Sequence, residues 1–342
     1  MSPDNIHKVK KLLGKPHNVI LLAHENPDGD AVGACLALQN ILLQQHHNAN
    51  VLLPNEYPSF LAWLPGNENI IIHNKQPELW NDTFSKAEVI FCLDFNDPSR
   101  INHLSEKLSN TDAIKILIDH HLNPENFCDF NFSEIETSST CELVFDFIGM
   151  IDANHLINKD IAECLYVGIM TDTGSFSYSC NNAKTYLIVA ELTRYGIDIE
   201  QIHRRVYDTY SELRMRLLGF SLSERLMVLH EYHTAYIYLT SEDLKKFNHQ
   251  IGDTEGIVNF ALSISGIYFA ALFIEKNNFI KISLRSKGVF PVNVIANQHF
   301  NGGGHRNAAG GLYRKSMKET LAYFESILPL YKNVLAGNDK NV

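Results

Sequence analysis

The chain has 342 residues, 45% of them hydrophobic, and a formal net charge of −10. That is enough apolar material for two domains with separate cores, and too much for a disordered chain. The negative balance argues against a general grip on long duplex DNA, while leaving room for a local basic pocket around a short anion.

The N-terminal stretch MSPDNIHKVKKLLGK lacks the apolar core and small-residue cleavage site of a signal peptide. It reads as a short helix capped around Ser2 to Asp4. No apolar run reaches the length that crosses a bilayer, so a cytoplasmic protein with no membrane partner is expected. The six cysteines, Cys35, Cys92, Cys128, Cys141, Cys164 and Cys180, are scattered without CxxC pairs. They read as reduced core thiols rather than zinc ligands.

Strands are expected at Asn18–Ala23, Ala49–Leu53, Glu88–Asp94 and Ala113–Asp119, with helices at Asp30–Gln45, Thr140–Met150 and Ile161–Met170. This alternation implies a mostly parallel sheet with helices on both faces. Three helices follow, at Asn182–Tyr195, Asp198–Asp208 and Glu212–Leu226. Beyond Met227 the pattern shifts to strands at Thr234–Leu239, Ile267–Ile274 and Phe279–Arg285, with helices at Val292–Asn297 and Met317–Leu328. The expected fold class is therefore α/β: a first domain over 1–195, a helical connector over 196–226, and a smaller α+β domain over 227–342.

Chemistry concentrates where the strands end. HENPDGDAVG, His24 to Gly33, follows the apolar run NVILLA and places His24, Asp28 and Asp30 within seven residues. Residues at the carboxyl end of such a strand face the crevice where open α/β sheets bind ligands. VIFCL ends in Asp94, and Ala113–Ile118 ends in Asp119-His120-His121. The apolar helix through Tyr166 closes on Asp172, in TDTGSF. Each has an ordinary alternative: a helix cap for Asp94 or Asp172, a polar loop for the histidines. All four at one edge of one sheet make a metal site the stronger reading. Carboxylates with some imidazole and no thiolate suit hard divalent cations better than structural zinc.

Near the C-terminus lies NGGGHRNAAG, Asn301 to Gly310. Gly302, Gly303 and Gly304 let backbone amides approach an anion, His305 and Arg306 add donors, and Arg285 can pair bidentately with a phosphate.

HENPDGDAVG, CLDF (Cys92–Phe95), the triplet Asp119-His120-His121 and TDTGSF together resemble the DHH phosphoesterase superfamily in order and spacing. NGGGHRNAAG and SLRS (Ser283–Ser286) resemble its DHHA1 domain. The resemblance runs from about residue 15 to 330 and is nearest to the standalone nanoRNase and pAp-phosphatase group, whose members are often labelled exopolyphosphatase-related. It implies two divalent cations, Mn²⁺ first and Mg²⁺ as the alternative. His24, Asp28 and Asp94 are then the ligands of one metal, and Asp30, Asp94, His120 and Asp172 those of the other, with Asp94 bridging. Asp119 orients a histidine, His121 faces the substrate, and Asn96 and Arg100 lie near the site, Arg100 as a candidate substrate contact. The DHHA1 lobe binds the distal end of a nucleotide.

The implied activity is hydrolysis of short oligoribonucleotides, of 3′-phosphoadenosine 5′-phosphate, or of both, by metal-activated water. Linear or cyclic dinucleotide signals, polyphosphate, pyrophosphate, and a non-catalytic nucleic-acid platform are the alternatives. A homodimer through the helices between the domains is compatible with the sequence.

Overall fold

The apolar runs of the first half become one sheet in the computed structural model, which describes residues 3–250 and 252–337. Its strands are β1 (Asn18–Ala23), β2 (Asn48–Leu53), β3 (Ile71–Ile72), β4 (Val89–Leu93), β5 (Ile114–Asp119) and β6 (Phe130–Ser133). All pairs are parallel, in the order β3-β2-β1-β4-β5-β6. Val19–Ala23 of β1 and all of β4 are buried, as a parallel sheet covered on both faces demands.

The chain runs outward from β1 through β2 to β3, then returns and runs the other way from β4. The strand order thus reverses between β1 and β4, the place where doubly wound sheets open a crevice beyond the strand ends. One face is covered by α1 (Pro3–Leu13), α2 (Gly29–Gln44), α5 (Thr140–Met150), α6 (Lys159–Asp172), α7 (Ala183–Thr193) and α8 (Ile199–Tyr207). The other carries α3 (Pro77–Ser85) and α4 (Ser105–Ser109), with Trp80, Phe84 and Leu108 in a second apolar layer.

The remaining elements are α9 (Glu212–Glu224), β7 (Leu226–Leu229), β8 (Thr234–Leu239), α10 (Ser241–Lys246), α11 (Ile257–Leu262), β9 (Phe269–Glu275), β10 (Ile280–Ser286), α12 (Val292–Phe300), β11 (Gly303–Gly304), β12 (Ala308–Tyr313) and α13 (Met317–Gly337). They build a second six-stranded sheet, β11-β12-β10-β9-β8-β7, antiparallel except for β8 beside β9. Two compact units divide between Thr209 and Tyr210. Ile202 and Val206 of α8 enter the core of the first, and Leu217 of α9 that of the second. The stretch 196–226 is thereby shared between two cores.

Several local expectations need correction. Leu226 opens β7 instead of ending a helix. Helix α12 runs to Phe300 because that side chain is fully buried, and it stops at Asn301, whose φ of 45° is a left-handed cap. Helix α13 passes through Pro329, where the sequence suggests a stop, and continues to bury Leu335. β3 was not anticipated, and two residues carry no readable alternation. Nor was β6, which is an edge strand paired only with β5. The cap expected at Ser2 lies outside the described residues. All six cysteines are buried and unpaired with one another. Among the described residues no helix is long and apolar enough to cross a membrane.

Helices α2, α5 and α6 pack closely because glycines stand at their contacts. A Cβ on Gly33 would lie 2.5 Å from the Cys164 carbonyl oxygen, and one on Gly168 would lie 2.1 Å from Cys141 Sγ and 2.8 Å from Asp30 Oδ1. Gly33→Ala must force backbone apart, and is expected to cost about 1–3 kcal/mol, lowering the melting temperature of the purified protein. An unchanged melt would mean that the helices part more easily than this contact implies.

Candidate metal centre

Each side chain of the centre is delivered by the end of a buried element. β1 ends at Ala23, and His24 follows with Nδ1 2.9 Å from the Glu25 carbonyl oxygen, so its Nε2 is the nitrogen turned to Asp94, 3.4 Å from Oδ2. Asp28 caps α2: its Oδ1 accepts from the amides of Asp30 and Ala31 at 3.0 and 3.1 Å. Asp30, in the first turn of α2, is 1% exposed.

β4 ends at Leu93, and Asp94 takes a left-handed φ of 63°, a conformation that aspartate tolerates better than most residues. Asp94 is not the cap of the turn that follows; Asp97 is, accepting from the Ser99 amide at 2.6 Å. β5 ends on Asp119, which accepts from the His121 amide at 3.1 Å and meets His121 Nδ1 at 2.7 Å. Asp119 is fully buried, so this pair fixes the imidazole's orientation and its tautomer. Asn96 donates to the Leu122 carbonyl at 2.6 Å and pins the loop just beyond His121.

Three carboxylates surround one imidazole. His120 Nε2 lies 3.4 Å from Asp172 Oδ2, 3.6 Å from Asp94 Oδ1 and 3.8 Å from Asp30 Oδ2. These distances exceed good hydrogen bonds, yet the atoms point to a common centre. Ligand atoms of His24, Asp28 and Asp94 form one compact group, and those of Asp30, His120 and Asp172 another. A mostly buried concentration of oxygen and imidazole donors, with Asp28 exposed and Asp172 partly so and no thiolate, fits hard divalent cations.

Helix α5 answers part of the negative charge. Its Thr140 amide donates to Asp30 Oδ2 at 2.6 Å, and its Cys141 amide to Asp30 Oδ1 at 2.8 Å. Both amides stand at a helix N-terminus, where the partial charge favours anions. The Thr140 hydroxyl donates to Asp94 Oδ1 at 2.9 Å. Sequence reasoning placed this helix but missed Thr140's role. The available signal was the capping pattern Ser139-x-x-Glu142, in which Ser139 accepts from the Glu142 amide.

The electrostatics follow. Burial, then the charges of Asp94 and Asp172, push the Asp30 carboxyl well above the usual range, and His120 offsets only part of this. Burial also works against ionised Asp94, but the His24 hydrogen bond and the charges of the three imidazoles outweigh it and hold Asp94 below the usual range. Burial opposes charge on His24 too, and Asp94 and then Asp28 raise its pKa nonetheless, against Arg100. Arg100 is thus near the centre; its carbonyl accepts from the Glu25 amide at 2.8 Å.

The glycine-rich motif and Arg285 belong to the second unit. Gly303 and Gly304 pair with Gly310 and Ala309, and His305 and Ala308 exchange amide–carbonyl bonds of 2.8 and 3.3 Å across a two-residue turn. Gly302 donates to the Ala296 carbonyl at 3.1 Å, so its amide serves the fold. A Cβ there would strike the Gly310 carbonyl oxygen at 2.0 Å, which explains the glycine. Gly304, with φ of 136°, is needed for the same close approach, whereas a Cβ on Gly303 meets open space. Arg285 lies in β10 opposite Ala308, half-buried, with Nη1 3.0 Å from the Leu284 carbonyl oxygen.

Three buried strand ends and a helix N-terminus gather carboxylates and imidazoles that could hold metal ions, and the comparisons point to phosphoesterases. Residues 18–169 match the DHH family, N-terminal domain, and residues 233–328 match the DHHA1 domain. The crystal structure of an exopolyphosphatase-related protein from Bacteroides fragilis is 43% identical, covers 98% of each chain, and superposes with a TM-score of 0.93. The chain belongs to the DHH–DHHA1 phosphoesterase superfamily. It is also 28% identical to the bifunctional oligoribonuclease and PAP phosphatase NrnA of Bacillus subtilis, over 85% of this chain and 88% of that one. A probable NrnA of Streptococcus mutans is 26% identical over 93% and 94%.

Thr140→Val removes the hydroxyl that donates to the buried Asp94 carboxylate. It is expected to cost about 1.5–3 kcal/mol in urea unfolding, with Thr140→Ser close to wild type. Equal stability of the valine and serine variants would show that the bond contributes nothing net.

Proposed function

We propose that this protein is a dinuclear-metal phosphoesterase that hydrolyses very short oligoribonucleotides and 3′-phosphoadenosine 5′-phosphate. The observation that carries this is the convergence of Asp30, Asp94 and Asp172 on His120 Nε2, beside the His24, Asp28 and Asp94 group. His24, Asp28 and Asp94 would hold one ion, and Asp30, His120 and Asp172, with Asp94 nearby, the other. Mn²⁺ is the proposed pair because imidazole accompanies the carboxylates; Mg²⁺ favours all-oxygen sites. The relatives named as oligoribonuclease and PAP phosphatase support the substrate class.

When bound, such ions polarise a phosphoryl oxygen and supply a nucleophilic water at neutral pH. The protein's own groups do the rest. Asp119 meets His121 Nδ1 and orients the ring, so His121 Nε2 is the atom proposed to protonate the leaving oxygen. Burial of His24, Asp30, Asp94 and His120 strengthens the charge interactions among them. The second unit, about residues 227–342, is proposed as the substrate-binding domain, with Arg285 pairing with a phosphate and His305 and the Gly303–Gly304 strand beside it.

Asp94→Asn keeps a residue that tolerates the left-handed conformation while removing the shared charge. It is expected to abolish Mn²⁺-dependent hydrolysis of dinucleotides and pAp with the fold preserved. Undiminished turnover in that variant overturns the dinuclear reading. A panel of pAp, dinucleotides, cyclic di-AMP, polyphosphate and pyrophosphate, run with Mn²⁺, decides the substrate.

Arg285→Ala is expected to raise KM by about ten-fold or more with kcat little changed, since a charge-assisted bond is worth roughly 1.5–3 kcal/mol. A fall in kcat alone would assign Arg285 to the chemical step instead.

A further inference from the structure

Glu142 lies in the first turn of α5, is fully buried, and belongs to neither group of candidate metal ligands. Its amide donates to Ser139 Oγ at 3.1 Å, one half of a capping box. In that motif the carboxyl takes the cap residue's own amide in return. Here it reaches one residue further back. Its Oε2 accepts from the Ser138 hydroxyl at 2.6 Å and from the Ser138 amide at 3.3 Å. The same oxygen accepts from the Thr185 hydroxyl of α7 at 2.8 Å. Lys184 adds a second tie between the helices: its ammonium bonds Asp146, one turn along α5, and stands 3.8 Å from Glu142 Oε1.

What Glu142 grips is the segment that meets the carboxylates. Ser138 and Ser139 lead directly into Thr140 and Cys141, whose amides hold both oxygens of Asp30, while the Thr140 hydroxyl holds Asp94. The chain entering this turn gives it little packing: residues 134–136 are exposed, Ile135 by 54%. A shift of about 1 Å would take the Asp30 bonds out of range.

As a device for helix stability alone the arrangement is poor. Glu142 Oε1 is buried and has no hydrogen-bond partner among the described residues. A buried carboxyl with an unbonded oxygen costs more than an exposed residue capping the same turn. As a clamp it is well placed, because donors from two separate segments converge on one oxygen.

We propose that Glu142 is a positioning residue of the metal centre. Its Oε2 ties Ser138 to α7 and so fixes the first turn of α5 where the Thr140 and Cys141 amides meet Asp30. The ion that depends on it is the one at Asp30, His120 and Asp172. The His24 and Asp28 side chains are fixed by their own neighbours, the Glu25 carbonyl and the first amides of α2. The inference rests on the dinuclear reading for the ion, and on hydrogen bonds alone for the placing of α5.

The test uses Glu142→Gln, which keeps an acceptor oxygen for Ser138 and Thr185, Glu142→Ala, which keeps none, and Thr185→Val, which cuts only the tie to α7. Phe147→Leu, in the buried core of the same helix, controls for lost stability. Amide exchange at Thr140 and Cys141 is read by NMR in metal-free protein. Mn²⁺ binding to the same proteins is read from the EPR signal of the free ion, below the melting range of every variant. In Glu142→Ala both amides are expected to exchange about ten-fold faster or more. One of two Mn²⁺ ions should bind about 10–100-fold more weakly, the range found when a group supporting metal ligands is removed. Thr185→Val should move both readings in the same direction, and Glu142→Gln should stay within about three-fold of wild type, since its oxygen still accepts.

Unchanged exchange and unchanged Mn²⁺ affinity in Glu142→Ala and Thr185→Val overturn the proposal. Faster exchange with both ions bound as in wild type overturns the role toward the ion. An equal loss in Phe147→Leu also overturns it, because any weakening of α5 would then suffice. If Glu142→Ala does not fold, Thr185→Val against Glu142→Gln decides by the same readings. If wild type binds fewer than two Mn²⁺ ions, the dinuclear reading fails; exchange at Thr140 and Cys141 then upholds the clamp on Asp30 if it quickens in Glu142→Ala, and overturns it if it does not.

Discussion

The constraint on which the first unit depends is the burial of like charges. Asp30, Asp94 and Asp119 are each 2% exposed or less, and Asp172 stands beside them. A carboxylate taken from water costs several kcal/mol unless donors and positive charge replace the hydration it loses. Here the replacements come from backbone geometry and imidazole. The first amides of α5 hold Asp30, the Thr140 hydroxyl holds Asp94, and three histidines ring the rest. Asp30 nevertheless sits well above the usual carboxylate range. Carboxylates crowded in this way are of the kind that gain by meeting cations.

That gathering is possible because of strand order. β1 and β4 are neighbours although two strands intervene in sequence, so His24 and Asp94 emerge side by side. β5 beside β4 brings Asp119, His120 and His121 to the same edge. The helices must approach as closely as the strands. Gly33 and Gly168 allow this, and the contact that Gly168 leaves open is the one where Asp30 reaches the start of α5.

The second unit answers a different need. Its sheet is covered on one face by α12 and α13 and on the other by α11, beside which Arg285, Ser283 and Lys281 alternate with the buried residues of β10. On the function proposed above, the first unit would hold the metals and the second the substrate.

Much of this was legible beforehand. NVILLA, VIFCL and KILID are apolar runs ending in charged residues, and continuous burial together with strand-end chemistry can be read from one dimension. Asp94 and Asp172 carried a competing reading as caps, and nothing local could separate the two. The structure assigns the cap to Asp97 and turns Asp94 inward through a left-handed backbone. Thr140's bond to Asp94 spans 46 positions, and Cys141's to Asp30 spans 111. No spacing rule reaches so far. Gly302 read as an anion cradle, yet its amide and its missing Cβ serve the packing of β12. The sequence by itself determined the donor types, the elements that carry them and the family they resemble, because periodicity and residue chemistry are local. Tertiary structure alone decided which carboxylates and imidazoles converge and what holds them, because that depends on strands and helices that meet only after folding.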